Sequence, residues 1–153
     1  MKNKNNKGFT LVELLAVIVI LAVIILIAVN AIIPQMNKAR KNSFIDEVAV
    51  YVQAAEKAYV ANQIDETTVV TCFPVAGSGD NVLNGNYVKK ADTAYKGRIE
   101  LDSDGNLSKI YLTNGKYYVV KTSNATAKVA SSDVVTIDST HTWASANETC
   151  PAS

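Results

Sequence analysis

Histidine and tryptophan occur once each in this chain, and cysteine only twice. The lone His141 has no serine or cysteine nucleophile in its sequence context, so no set suited to acid–base or nucleophilic catalysis is present. A glycine-rich phosphate loop is missing, and the carboxylates are scattered over turns. Basic excess is missing too. Lys and Arg number 15 against 14 Asp and Glu, a formal +1, with no basic stripe to follow a phosphate backbone. The enzyme and nucleic-acid-binding classes therefore drop away. His141 and Trp143 are read as surface or packing residues. Cys72 and Cys150 do not have the spacing of a metal motif.

Charge is scarcest near the start. Residues 9–33 hold one ionisable side chain, Glu13, and residues 14–29 hold no polar side chain at all. As a helix this run reaches about 37 Å at ~1.5 Å per residue, enough for a hydrocarbon core of ~30 Å. A secretory signal would have a shorter apolar region followed by a small-residue cleavage site. NAIIPQMNKARK follows instead, so the span is expected to be retained. With an export segment ahead of them, Cys72 and Cys150 are expected to be disulfide-bonded.

Beyond the run, Pro34 favours a kink and a new pattern begins. Phe44, Val48, Tyr51, Val52, Ala55, Ala58 and Tyr59 share one face of a 3.6-residue period, with Asp46, Gln53 and Lys57 roughly opposite. The expectation is one helix from residue 9 to 62, on the order of 80 Å long. Residues 63–96 read as a connecting loop with one short helix. The strongest β signal follows in GRIELDSDGNLSKIYLTNGKYYVVK. Alternation across 98–102, the turn SDGN and the dipeptide Asn114-Gly115 predict a three-stranded antiparallel meander over about 97–122. A further strand is expected over 134–138. The apolar stripe at 44–59 is the cover available for this sheet, and the fold class is α+β.

Glu13 needs an explanation. Thr10-x-x-Glu13 is a capping box, and a carboxylate also suits a helix N-terminus. That does not explain the apolar run that continues directly from Gly8-Phe9. Lys7-Gly8-Phe9-Thr10-Leu11-Val12-Glu13-Leu14, followed by such a run, resembles the class III signal of type IV prepilins, shared by pseudopilins and competence pilins. The resemblance covers about 25 residues. It implies cleavage between Gly8 and Phe9 by a prepilin peptidase, N-methylation of Phe9, and a pilin-like fold. It divides the chain into a leader at 1–8, a membrane or filament-core helix at 9–33, its amphipathic continuation at 34–62, and an extracellular head at 63–153. Without the leader, loss of Lys2, Lys4 and Lys7 leaves 12 of the 15 basic residues and a formal −2.

The chemistry of Glu13 then follows. A buried carboxylate requires a partner, and cleavage would supply the Phe9 α-amine, protonated near neutral pH. Paired between adjacent copies, the two charges would set register in a homo-oligomeric filament, because a register that leaves either alone costs several kcal/mol. The further partners implied are prepilin peptidase, an assembly platform protein, a cytoplasmic assembly ATPase, and the membrane before assembly. No cofactor or nucleic acid is called for. Lys2, Lys4 and Lys7 on one side of the span nearly balance Lys38, Arg40 and Lys41 on the other. The prepilin signal, the cysteine pair and the size of the head put the N-terminus inside, in the cytoplasmic membrane, with later display on a surface pilus.

Alternatives at this stage are a minor pilin, pseudopilin or competence pilin, and a monomeric membrane-anchored binding domain with Glu13 as a mere cap. Asp102, Asp104 and Asn106 begin like a calcium loop. Counted from Asp102, however, position 12 is Thr113 rather than Glu and position 6 is Leu107 rather than Gly. The reading is therefore a hairpin turn. Asn106, Asn124 and Asn147 each match the glycosylation acceptor pattern, as expected by chance in so Asn-, Ser- and Thr-rich a segment. Tyr87, Tyr95, Tyr111, Tyr117 and Tyr118 suit either an adhesive surface or strand packing.

Overall fold

The computed structural model describes residues 8–64, 69–89, 94–122 and 129–151. Its first element, helix α1, runs from Leu11 to Ile64 and takes Pro34 within its length. The chain forms two compact units, Met1–Ala39 and Arg40–Ser153.

In the first unit the helix has no core to join. Leu11, Leu15, Ile18, Leu21, Ile25 and Ile32 are all exposed. Between Leu11 and Ile33 the polar side chains are Glu13 and Asn30 alone, so this surface requires an apolar surrounding. The helix is long and apolar enough to cross a membrane by length and composition.

In the second unit the same helix buries one face. Phe44, Val48, Tyr51, Ala54, Ala55, Ala58 and Tyr59 are buried, while Asp46, Gln53 and Lys57 are exposed. This is the expected stripe, with Ala54 added and Val52 half-buried. It packs on a five-stranded antiparallel sheet whose strands lie in chain order: β1 Cys72–Pro74, β2 Lys96–Leu101, β3 Leu107–Thr113, β4 Tyr117–Lys121 and β5 Val134–Thr136. Phe73, Ile99, Leu101, Ile110, Leu112, Tyr117, Val119 and Val134 fill the shared core. Phe44 sits between Tyr95 and Tyr117, each 6.1 Å away between ring centroids. Such pairs add roughly 0.5–1.5 kcal/mol beyond area burial.

The sheet is wider than the meander expected over about 97–122. Residues 63–96 are not merely a connecting loop. They contain β1, which registers Cys72 with Glu100 and Pro74 with Arg98, and a short turn of helix, α2, at Leu83–Asn86. A three-residue strand ending in proline shows no alternation in sequence, and it forms because an edge position tolerates both features. At the other edge β5 stops at Thr136. Asp138 leaves the strand to accept hydrogen bonds from the Thr140 and His141 amides, each 2.8 Å long, which starts a turn.

Two glycines are fixed by close approach. Gly97 has φ +134°, and a Cβ there would lie 2.0 Å from the Tyr111 carbonyl oxygen. Gly105, at φ +83°, lies under the Tyr59 ring, with a virtual Cβ 2.6 Å from Cε1. The Tyr59 hydroxyl donates to the Ser103 carbonyl at 2.6 Å, tying the β2–β3 turn to the helix.

Candidate assembly site at the helix N-terminus

Gly8 and Phe9 precede α1 outside any helix or strand, and Phe9 is 86% exposed. Thr10 caps the helix. Its Oγ1 accepts from the Glu13 amide at 3.3 Å, while Glu13 reaches back to accept from the Thr10 amide at 2.8 Å. The Thr10 hydroxyl also donates to Glu13, at 2.9 Å. The expected capping box is thus formed, satisfying donors that a helix start otherwise leaves open.

Both contacts from Thr10 fall on one carboxylate oxygen, Oε2. Oε1 accepts no hydrogen bond among the described residues. A cap and a contact with an external cation are therefore compatible in a single conformation of Glu13. Lys2, Lys4 and Lys7 lie outside the described residues.

The other sequence candidates lie in the second unit. Cys72 and Cys150 form a disulfide with Cα atoms 5.9 Å apart. The bond holds the C-terminal segment against the face of the sheet opposite the helix. There Arg98 donates to the Ala146 carbonyl at 2.9 Å, and Trp143 meets Tyr118 at 6.0 Å between centroids. Nothing in the sequence pattern announced this second cover. Its one signal was a cysteine so close to the C-terminus.

Arg98 and Lys109 each contact Glu100 at 2.8 Å. Burial pushes the Glu100 carboxyl up, but the hydrogen bonds and charges of Lys109 and Arg98 outweigh it and leave it below its ordinary range. The Arg98 guanidinium also lies 4.0 Å over the Tyr111 ring. Tyr95 and Tyr117 are core residues. These four strand and loop tyrosines therefore pack against neighbours, and Tyr87 is half-buried.

Asp102, Asp104 and Asn106 meet in the β2–β3 turn. Asp102 Oδ1 accepts from the amides of Asp104 at 3.0 Å and Asn106 at 2.8 Å. The Asn106 amide above all keeps the Asp102 carboxyl below its usual value. Asp102 thus closes the turn with its own backbone. Among the described residues no group of three or more His, Cys, Asp or Glu side chains is placed to hold a metal ion. The His141 ring Nδ1 lies 2.8 Å from the Thr140 hydroxyl and 3.2 Å from Asp138, on the surface. Of the three acceptor-pattern asparagines, Asn106 donates to Asp102 at 3.4 Å and Asn147 is half-buried. Asn124 lies outside the described residues.

A family model, the prokaryotic N-terminal methylation motif, matches residues 3–29. No curated protein and no solved structure matches the chain. The matched segment contains Gly8, Phe9, Thr10 and Glu13 with most of the apolar run, and the match supports a type IV pilin-like prepilin with a class III signal. With the long N-terminal helix and antiparallel sheet, the layout is pilin-like. The motif points to a structural protein rather than an enzyme. It also fits a membrane-anchored precursor that is later surface-exposed.

Proposed function

We propose that the chain is the structural subunit of a type IV pilus. Residues 1–8 are its leader. Cleavage between Gly8 and Phe9 by a prepilin peptidase, then N-methylation of Phe9, yields a mature subunit that waits in the cytoplasmic membrane with its N-terminus inside. A platform protein and a cytoplasmic ATPase extract it, and residues 9–33 of many copies bundle as the filament core, with residues 34–62 continuing the helix. The head at 63–153 forms the outer layer.

One observation carries this reading. A methylation motif stands at the start of a helix whose first stretch, residues 11–33, exposes apolar surface all round, and the single carboxylate of that stretch, Glu13, has one oxygen uncommitted. Apolar surface leaves lipid without loss only if equivalent surface covers it. Identical helices provide that cover but leave their axial register undefined. The Glu13 carboxylate on the Phe9 amine of an adjacent copy defines it, since any other register leaves two charges unpaired in a low dielectric.

The test is intact mass and N-terminal sequencing of filaments sheared from cells. Methyl-Phe9 as first residue and a mass two hydrogens short, for the disulfide, are expected. A polypeptide beginning at Met1, or at any bond other than the one before Phe9, refutes the proposal.

A further inference from the structure

Between Leu14 and Ile33 the chain has one polar side chain, Asn30. Its Nδ2 folds back onto the Leu26 carbonyl at 3.3 Å. That long bond uses one of two amide hydrogens; the other hydrogen and Oδ1 have no partner among the described residues. Four residues on stands Pro34, inside the helix. Lacking an N–H, Pro34 cannot donate to the carbonyl four residues back, and that carbonyl belongs to Asn30 itself. A single residue thus carries both a spare donor and a carbonyl deprived of its helical donor. In hydrocarbon neither has water to turn to.

The stagger between copies brings the two together. If the Phe9 amine of one copy stands level with Glu13 of its neighbour, that copy is displaced by four residues, about 6 Å at ~1.5 Å per residue. Its Asn30 is then level with Pro34 of the neighbour. Helical side chains lean toward the N-terminus, as the contact with Leu26 shows. Helical carbonyls point the other way, toward the C-terminus. The leaning amide of the displaced copy therefore approaches the Asn30 carbonyl of its neighbour head-on. Displacement in the opposite sense carries the amide away from that carbonyl.

We infer that Asn30 is a second register contact, its side-chain amide donating to the Asn30 backbone carbonyl of an adjacent copy that Pro34 leaves open. This rests on the filament reading and adds to it a partner, a second copy of this chain, and a direction of stagger. The two register contacts lie 17 residues apart and agree in sense, so together they fix rotation as well as height.

The test compares filaments of the full-length protein carrying Asn30→Leu, Pro34→Ala or both with those of the wild type. Subunit release in mild detergent is followed at fixed temperature. Glu13 is intact in all four, so all are expected to assemble. Each single variant should release subunits about 3- to 15-fold faster, the range expected of one hydrogen bond between membrane helices. Pro34→Ala acts by returning an N–H to the carbonyl within the same helix. The double variant should be no faster than Asn30→Leu alone, because both changes remove the same bond. Wild-type release rates in Asn30→Leu, or single effects that multiply in the double variant, overturn the inference. A filament reconstruction decides it independently. Asn30 Nδ2 about 2.7–3.2 Å from an adjacent Asn30 carbonyl supports it, and a separation beyond about 5 Å overturns it. Absence of filaments from the wild type refutes the filament reading itself.

Discussion

Residues 11–33 and residues 44–59 belong to the same helix, yet each makes its apolar surface compatible with water by a different route. The later stretch is apolar on one face and covers that face with its own chain, burying Phe44, Val48 and Tyr51 against the sheet. The earlier stretch is apolar on every face and covers none of it. A one-sided helix can be completed within one molecule, whereas an all-round apolar helix must borrow its surroundings from lipid or from other copies. The comparison also separates two uses of polar groups. In the second unit Arg98, Glu100 and Lys109 satisfy one another locally. In the first, Glu13 and Asn30 hold only their own helix and keep bonding capacity in reserve.

The largest effect should come from the reserved charge. Glu13→Ala is expected to leave a processed, membrane-held subunit and to abolish filaments, scored by shearing and immunoblotting. Normal incorporation would place the first stretch among simple anchors. Next, reduction of the Cys72–Cys150 bond opens a loop of about 79 residues and should lower the stability of the second unit by roughly 4–5 kcal/mol on the chain-entropy account. Urea unfolding with and without reductant measures this, and an unchanged midpoint would show that the bond constrains nothing in the unfolded chain.

The contrast between the stretches is sharpest in a matched pair of truncations. Phe44→Ala should cost about 3–5 kcal/mol in that assay, whereas Ile20→Ala should fall within about 0.5 kcal/mol. Equal losses would break the comparison. The smallest effect concerns Glu100. Its carboxyl is held below the ordinary 4.5, so its ion pairs contribute above that pH and are lost as pH falls through the depressed folded value. Wild type and Glu100→Gln should differ in stability above about pH 4.5 and converge in stronger acid.

Much of this was legible in the residues. The apolar run, the capping box of Thr10 and Glu13, the stripe from Phe44 to Tyr59 and the turns at Gly105 and Gly115 are local patterns. Each depends on neighbours a few positions away, and the structure forms them where the patterns stand. The cysteine pair was legible for a different reason: two thiols beyond an export segment leave one intramolecular pairing. Illegible were β1, too short to alternate, and the C-terminal cover, whose contacts between Arg98 and Ala146 and between Tyr118 and Trp143 join positions 48 and 25 apart. The calcium-like triad Asp102, Asp104 and Asn106, read in the sequence as a hairpin turn, is of a third kind. Its spacing is local, but the use of Asp102 is set by the backbone amides that the hairpin turns toward it.

Sequence alone determined that this chain has an all-round apolar helix with one acid near its start, because hydropathy and capping are properties of consecutive residues. Tertiary structure decided which strands edge the sheet and that both sheet faces are covered. Those outcomes depend on where distant segments meet, and no periodicity along the chain encodes such meetings.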